Sequence, residues 1–197
     1  MATVDAEKKL QKRVLHWLVD DLGYTYLGNL EDIDNTPVKE DLLKANLKKR
    51  GYNDDQIKTA ISELLSKVNN QVDTLYQINR SVYSLLRYGR QGAKDANGRR
   101  QTVHYINWDD IGSNDFYVAE EVSVLRFDKV TRKRPDVVLY INGIALGVFE
   151  LKSSYVSAGK GIRQMSQNQK RENILNFFST AQFLFAGNEA EGLFYGT

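Results

Sequence analysis

Residues 134–152 read Arg-Pro-Asp-Val-Val-Leu-Tyr-Ile-Asn-Gly-Ile-Ala-Leu-Gly-Val-Phe-Glu-Leu-Lys. Two apolar runs flank Asn142-Gly143, a dipeptide suited to tight hairpin turns, so the stretch is predicted to be a pair of antiparallel strands. Asp136 opens the first strand, and Glu150 and Lys152 close the second. Residues two apart in a strand share a face, which sets a carboxylate beside an ammonium at the end of a buried strand.

Whether Asp136 joins them depends on register. A two-residue turn of Asn142 and Gly143 pairs Ile141 with Ile144 and sets Asp136 opposite Phe149, on the wrong face. A three-residue connection with Gly143 left-handed pairs Ile141 with Ala145 and Asp136 with Glu150, their Cβ atoms about 5 Å apart. The expectation is the bulged connection or an equivalent distortion of the first strand. Two carboxylates at that spacing can share one hard divalent cation, and Mg²⁺ is commonly held by one or two carboxylates plus water and phosphate oxygens. Such an ion polarises a phosphoryl oxygen and acidifies water. Lys152 could hold or deprotonate an attacking water, or face the phosphate as a point charge. The blander alternative makes Asp136 a turn residue and Glu150 with Lys152 an exposed ion pair.

Upstream, residues 1–88 read as helical. Leu10, Val14, Trp17, Leu18 and Leu22 recur at helical spacing up to Gly23, and a loop with Glu31, Asp32, Asp34 and Pro37 follows. A second helix is expected over 38–49. A third is opened by Asn53 and Gln56 in a capping-box arrangement, and a fourth begins near Asp73. Residues 89–98 read as a polar loop. Beyond residue 100 the period approaches two, with strands expected over 103–106, 116–127, 135–141, 144–152 and 181–186 and a helix over 160–177. This is an α/β pattern of helices packed on a mixed sheet, and the 197 residues suit one domain with a helical N-terminal portion (1–88) and a sheet portion (101–197).

Composition narrows the chemistry. Without cysteine there is no disulfide or thiolate site, and the two histidines, His16 and His104, are far apart, so any metal is held by oxygen. The polar N-terminus and the lack of a long apolar run make export and membrane insertion unexpected, and a cytoplasmic location is anticipated. The net charge of +2 hides an asymmetry: 11 basic against 13 acidic residues up to residue 79, then 16 against 12. The basic excess gathers in Arg87, Arg90, Lys94, Arg99 and Arg100, then Lys129, Arg132, Lys133 and Arg134, then Lys160, Arg163, Lys170 and Arg171. Such clusters are more often solvated surface than binding sites; Arg87, Arg90, Arg99, Arg100, Lys133, Arg134, Lys160 and Arg163 are the candidates for phosphate contacts. Tyr76, Tyr83 and Tyr88 could stack on bases but are read as core packing, His104 as structural, and Glu120 and Glu121 as surface.

The Pro-Asp…Glu-x-Lys arrangement resembles the PD-(D/E)xK nuclease superfamily. The longer text, residues 134–152 with Gly-Ile-Arg-Gln-Met-Ser-Gln-Asn-Gln-Lys (161–170), Ser-Leu-Leu-Arg-Tyr-Gly (84–89) and the closing Ala-Gly-Asn-Glu-Ala-Glu-Gly-Leu-Phe-Tyr-Gly-Thr (186–197), resembles the N-terminal nuclease domain of the R subunit of type I restriction enzymes. The resemblance implies a restriction-endonuclease-like fold and an Mg²⁺-dependent endonuclease acting on DNA without sequence preference of its own. It makes Asp136, Glu150 and Lys152 the catalytic positions, with Asp136 and Glu150 holding the metal. A Gln-x-x-x-Tyr element of such nucleases is matched by Gln164, with Asn168 in place of the tyrosine. A glutamate on the first helix often completes the metal site. Here Gln11 and Lys12 fill that region, with Glu7 a turn earlier. The resemblance further implies a larger subunit with an ATP-driven motor, whose motifs these residues lack, working with methylation and specificity subunits. A non-cleaving DNA-binding or docking module of the same fold is the alternative.

Overall fold

The computed structural model describes residues 2–94 and 98–196. In chain order it contains α1 (Ala2–His16), continued by a π-helical segment (Trp17–Asp21), β1 (Thr25–Asn29), α2 (Glu40–Lys49), α3 (Asp54–Val68), α4 (Leu75–Tyr88), β2 (Arg90–Lys94) and β3 (Arg100–Val103). Then come β4 (Phe116–Glu120), β5 (Val124–Leu125), β6 (Arg132–Lys133), β7 (Val137–Ile141), β8 (Ile144–Leu151), α5 (Ala158–Asn168), a 3₁₀ segment (Leu175–Ser179), β9 (Phe183–Asn188) and β10 (Gly192–Gly196). Six strands form one sheet in the order β1-β4-β7-β8-β9-β10. The β1/β4 and β8/β9 pairs are parallel and the others antiparallel, so the sheet is mixed and the class α/β.

All eight residues of β8 are buried, as expected of a strand covered on both faces. On one face Phe149 and Leu151 pack with Leu15 and Leu18 of the first helical stretch. On the other, Ala145 and Val148 pack with Met165, Phe177 and Phe178. Helices α2, α3 and α4 gather around Ile144 and Leu146, near the hairpin turn. Capping boxes start α3 (Asn53 with Gln56) and α4 (Thr74 with Gln77), each satisfying amides that a helix start leaves unpaired.

The hairpin corrects one expectation. Its turn is the two-residue form: Ile141 pairs with Ile144, and Asn142 and Gly143 both have positive φ, 53° and 84°. The extra residue is in the second strand, where the register shifts between the Ala145 and Gly147 pairings and leaves Leu146 unopposed. Tertiary ties decide this. Asn142, fully buried, donates to the Tyr105 carbonyl (2.8 Å) and to Asn114 (2.9 Å), and accepts from the Asp115 amide (2.7 Å). The groups freed at the bulge are taken up: the Ala145 amide donates to the Pro37 carbonyl, and the Leu146 carbonyl accepts from the Gln182 amide, each at 2.8 Å.

Other boundaries moved for local reasons. β1 and β10 had no alternating apolar signal, being short edge strands with much exposed surface. The expected strand 116–127 breaks at Glu121, whose φ is 51°. The expected helix 160–177 ends at Asn168, after which the Asn173 side chain donates to the Gln167 carbonyl (2.8 Å) and competes with helical pairing. Residues 89–98, expected as loop, contain strand β2, which pairs with β3; residues 95–97 lie outside the described residues. Strand β3 ends at Val103, so His104 is outside it and exposed.

Candidate active site

Beyond the bulge, Val137 pairs with Phe149, so the next step of the ladder sets Asp136 opposite Glu150. Asp136 is 8% exposed and Glu150 1%. The Leu151 amide donates to Asp136 Oδ2 at 2.5 Å, which fixes that carboxylate against the neighbouring strand. Lys152 Nζ donates to Glu150 Oε1 at 2.6 Å and lies 3.8 Å from Glu7 Oε1, so α1 does deliver a third carboxylate to the group. Glu150 Oε2 is buried without a partner, a costly position for an ionised oxygen.

The electrostatics follow. Burial, then the Glu150 carboxylate, push Asp136 well above the ordinary carboxylate range, against the pull of Lys152 and the Leu151 amide. Burial also raises Glu150, outweighing its ion pair with Lys152. Burial alone would lower Lys152, but the surrounding carboxylates prevail and its pKa is raised. Dry, mutually repelling oxygen donors with one orphaned lone-pair site suit a hard divalent cation. Asp136 and Glu150 could hold it.

Residues read as surface turn out to brace this end of the sheet. Glu120 accepts from Gln11 (2.7 Å) and Tyr26 (2.5 Å), tying α1 and β1 to β4. Burial of the phenol, then the Glu120 contact, raises Tyr26 to about 12. Glu121 pairs with Arg134 (2.7 Å), which also binds Glu31. Nothing in the sequence marked the contacts of Glu120 with Gln11 and Tyr26 or of Arg134 with Glu31, because they join residues about a hundred positions apart.

The remaining candidates are dispersed. Gly161 of α5 sits against β8, a Cβ there meeting the Glu150 carbonyl at 3.3 Å and its Cγ at 3.6 Å. Gln164 is one turn further along and half-buried; Asn168 is buried, its Oδ1 unpartnered. Lys160 and Arg163 are on the exposed side of the same helix. Lys133 is close enough to act electrostatically on Glu150, whereas Arg134 is engaged by two carboxylates. Arg87, Arg90, Arg99 and Arg100 belong to α4 and the β2–β3 hairpin, at the turn end of the sheet. Glu150 is six steps along β8 from Ile144, roughly 20 Å. There Arg87 lies over the Trp108 ring and Arg90 pairs with Glu63. Tyr76, Tyr83 and Tyr88, read as packing, are 73%, 46% and 62% exposed, because the apolar stripe of α4 falls on its other side. Among the described residues no helix is long and apolar enough to cross a membrane.

Comparison with known proteins points the same way. Over 112 residues the chain is 30% identical to a protein of Methanocaldococcus jannaschii named as a type I restriction enzyme MjaIXP endonuclease subunit, covering 55% of this chain and 11% of that protein. Over 94 residues it is 29% identical to the type I restriction enzyme HindI endonuclease subunit of Haemophilus influenzae, covering 47% and 9%. The alignments span about a tenth of the length of these relatives. The family described as type I restriction enzyme R protein N terminus matches residues 6–197, and the chain belongs to that family.

Proposed function

We propose that this chain is the nuclease domain of a type I restriction enzyme R subunit, of the PD-(D/E)xK class, hydrolysing DNA phosphodiester bonds endonucleolytically with Mg²⁺ and without sequence preference of its own. The observation that carries the reading is the shifted ladder that sets buried Asp136 across from buried Glu150, with Lys152 alongside.

Asp136 and Glu150 would hold the ion, which when bound offsets charge developing on the phosphoryl group and acidifies water. The Leu151 amide holds Asp136 in one orientation, so that one of its oxygens is positioned without rearrangement. Lys152, now on Glu150 Oε1, is the group able to orient an attacking water or to neutralise a phosphate oxygen once Glu150 is otherwise engaged. Gln164 on α5 and Glu7 on α1 would be supporting polar groups. Lys133, Lys160 and Arg163 supply phosphate contacts at this end, an electrostatic binding mode that is weak and salt-sensitive. In the complete subunit, ATP use would belong to a motor outside this chain. DNA and the methylation and specificity subunits are the proposed partners.

A second reading, a non-cleaving DNA-binding or docking module, is favoured by one observation: among the described residues no group of three or more His, Cys, Asp or Glu is arranged to hold a metal. Plasmid nicking with Mg²⁺, by the chain and by the R subunit assembled with its partners and ATP, separates the two. Cleavage that falls at least roughly a hundredfold in Glu150→Ala and Lys152→Ala supports the nuclease. An assembled enzyme that cuts equally with both variants contradicts it.

A further inference from the structure

Helix α4 turns Ile78, Val82, Leu85 and Leu86 into the core. Its other side carries Tyr76, Arg80, Tyr83 and Arg87, spaced four, three and four residues apart, and so aligned in one row. Both tyrosines are exposed, as is Tyr88 beside them. Trp108 extends the row: its ring lies under Arg87 at 5.5 Å and its indole N–H donates to the Leu86 carbonyl at 2.9 Å, which holds the ring in place. So much aromatic surface in water, on a helix whose apolar face is already used, calls for an occupant.

Charge selects its class. Residues 74–94 include Arg80, Arg87, Arg90 and Lys94 but no Asp or Glu, in a chain that has 25 of them. The neighbouring helices open with acidic residues, Glu40 and Asp41 in α2 and Asp54 and Asp55 in α3; α4 has none in its first turn. The row is therefore cationic and aromatic, with nothing on its own helix to repel a polyanion.

We propose that this row, with Trp108, binds single-stranded nucleic acid, bases stacked on Tyr76 and Tyr83 and phosphates against Arg80 and Arg87. Rings on a convex helix cannot reach the faces of bases stacked in a duplex, whereas an unpaired strand offers a face to each ring. Two turns separate the tyrosines, about 10.5 Å, the span of a few nucleotides. The surface is at the turn end of the sheet, away from Asp136 and Glu150, so it is a second contact rather than the cleavage groove. The choice of polymer rests on the nucleic-acid reading above; the site itself uses none of its catalytic groups.

Fluorescence anisotropy with short labelled oligo-dT, oligo-rU and duplex DNA, all in EDTA, tests the proposal. Oligo-dT is expected to bind more tightly than duplex. Tyr76→Ala and Tyr83→Ala are each expected to weaken it by about fivefold or more, while Tyr83→Phe keeps it. Equal binding of oligo-rU assigns the surface to single strands in general, and weaker binding assigns it to DNA. No single-strand binding, a preference for duplex, or indifference to both alanine variants, checked by circular dichroism to be folded, overturns the proposal. Plasmid cleavage judges the nuclease reading separately: stacking-dependent binding without cleavage sinks that reading alone, and cleavage without stacking-dependent binding sinks this one alone.

Discussion

Asp136 and Glu150 are both buried, and the neighbouring lysine satisfies only one of the four carboxylate oxygens. Such a pair repels itself unless a cation or a proton intervenes. The far end of the sheet shows the contrasting case. Burial of Asp115 would raise its pKa, but hydrogen bonds from Asn46 (2.8 Å) and Lys49 (2.9 Å) prevail and hold it below the ordinary value. A depressed carboxylate stabilises the fold above its unfolded pKa, and the contribution disappears as pH falls through the folded value. Asp115→Asn should therefore lower the thermal midpoint at pH 7, and the gap from wild type should close in strongly acid buffer; a gap independent of pH would contradict the assignment. The grouping of Asp136, Glu150 and Lys152 was legible because the three fall within 17 positions. The contacts of Glu120 and Tyr26 were not, since their partners are distant in sequence and no periodicity announces them.

At the scale of elements, the hairpin was legible from Asn142-Gly143, but its bulge was placed wrongly. Local turn chemistry allows either connection; the choice was made by the buried Asn142 amide and by Pro37 and Gln182, which take up the groups the bulge frees. Gly143 shows how tightly this is held. Its φ is +84°, and a Cβ there would lie 2.6 Å from the Lys39 carbonyl oxygen and 2.8 Å from Leu42 Cβ. Gly143→Ala should cost about 1–3 kcal/mol in urea denaturation, through the left-handed backbone and the clash with α2. Because the turn anchors the register, the same variant should lose cleavage beyond its loss of stability; an unchanged midpoint would mean the turn is not the anchor. The exposed face of α4 was misjudged for a related reason: a tyrosine reads as apolar in sequence, and only the helix's rotation shows which side it is on.

For the whole molecule, the sheet separates two poles: the carboxylates with α1, α5 and Lys133 at one, and α4 with the β2–β3 hairpin at the other. The basic clusters seen in the sequence are thus divided between the two poles. If Lys160 and Arg163 contact phosphates beside the site, Lys160→Ala/Arg163→Ala should reduce the slope of log affinity for duplex against log salt by about 2, at roughly 0.9 per contact. An unchanged slope would place the duplex elsewhere. The ion site proposed for Asp136 and Glu150 is tested most directly by a crystal soaked in Mn²⁺ and measured at the manganese edge. The predicted result is an anomalous peak within about 2.2 Å of an oxygen from each of Asp136 and Glu150, with Lys152 displaced from Glu150. A crystal with manganese bound elsewhere, or none, and the ammonium still on Glu150 would contradict it.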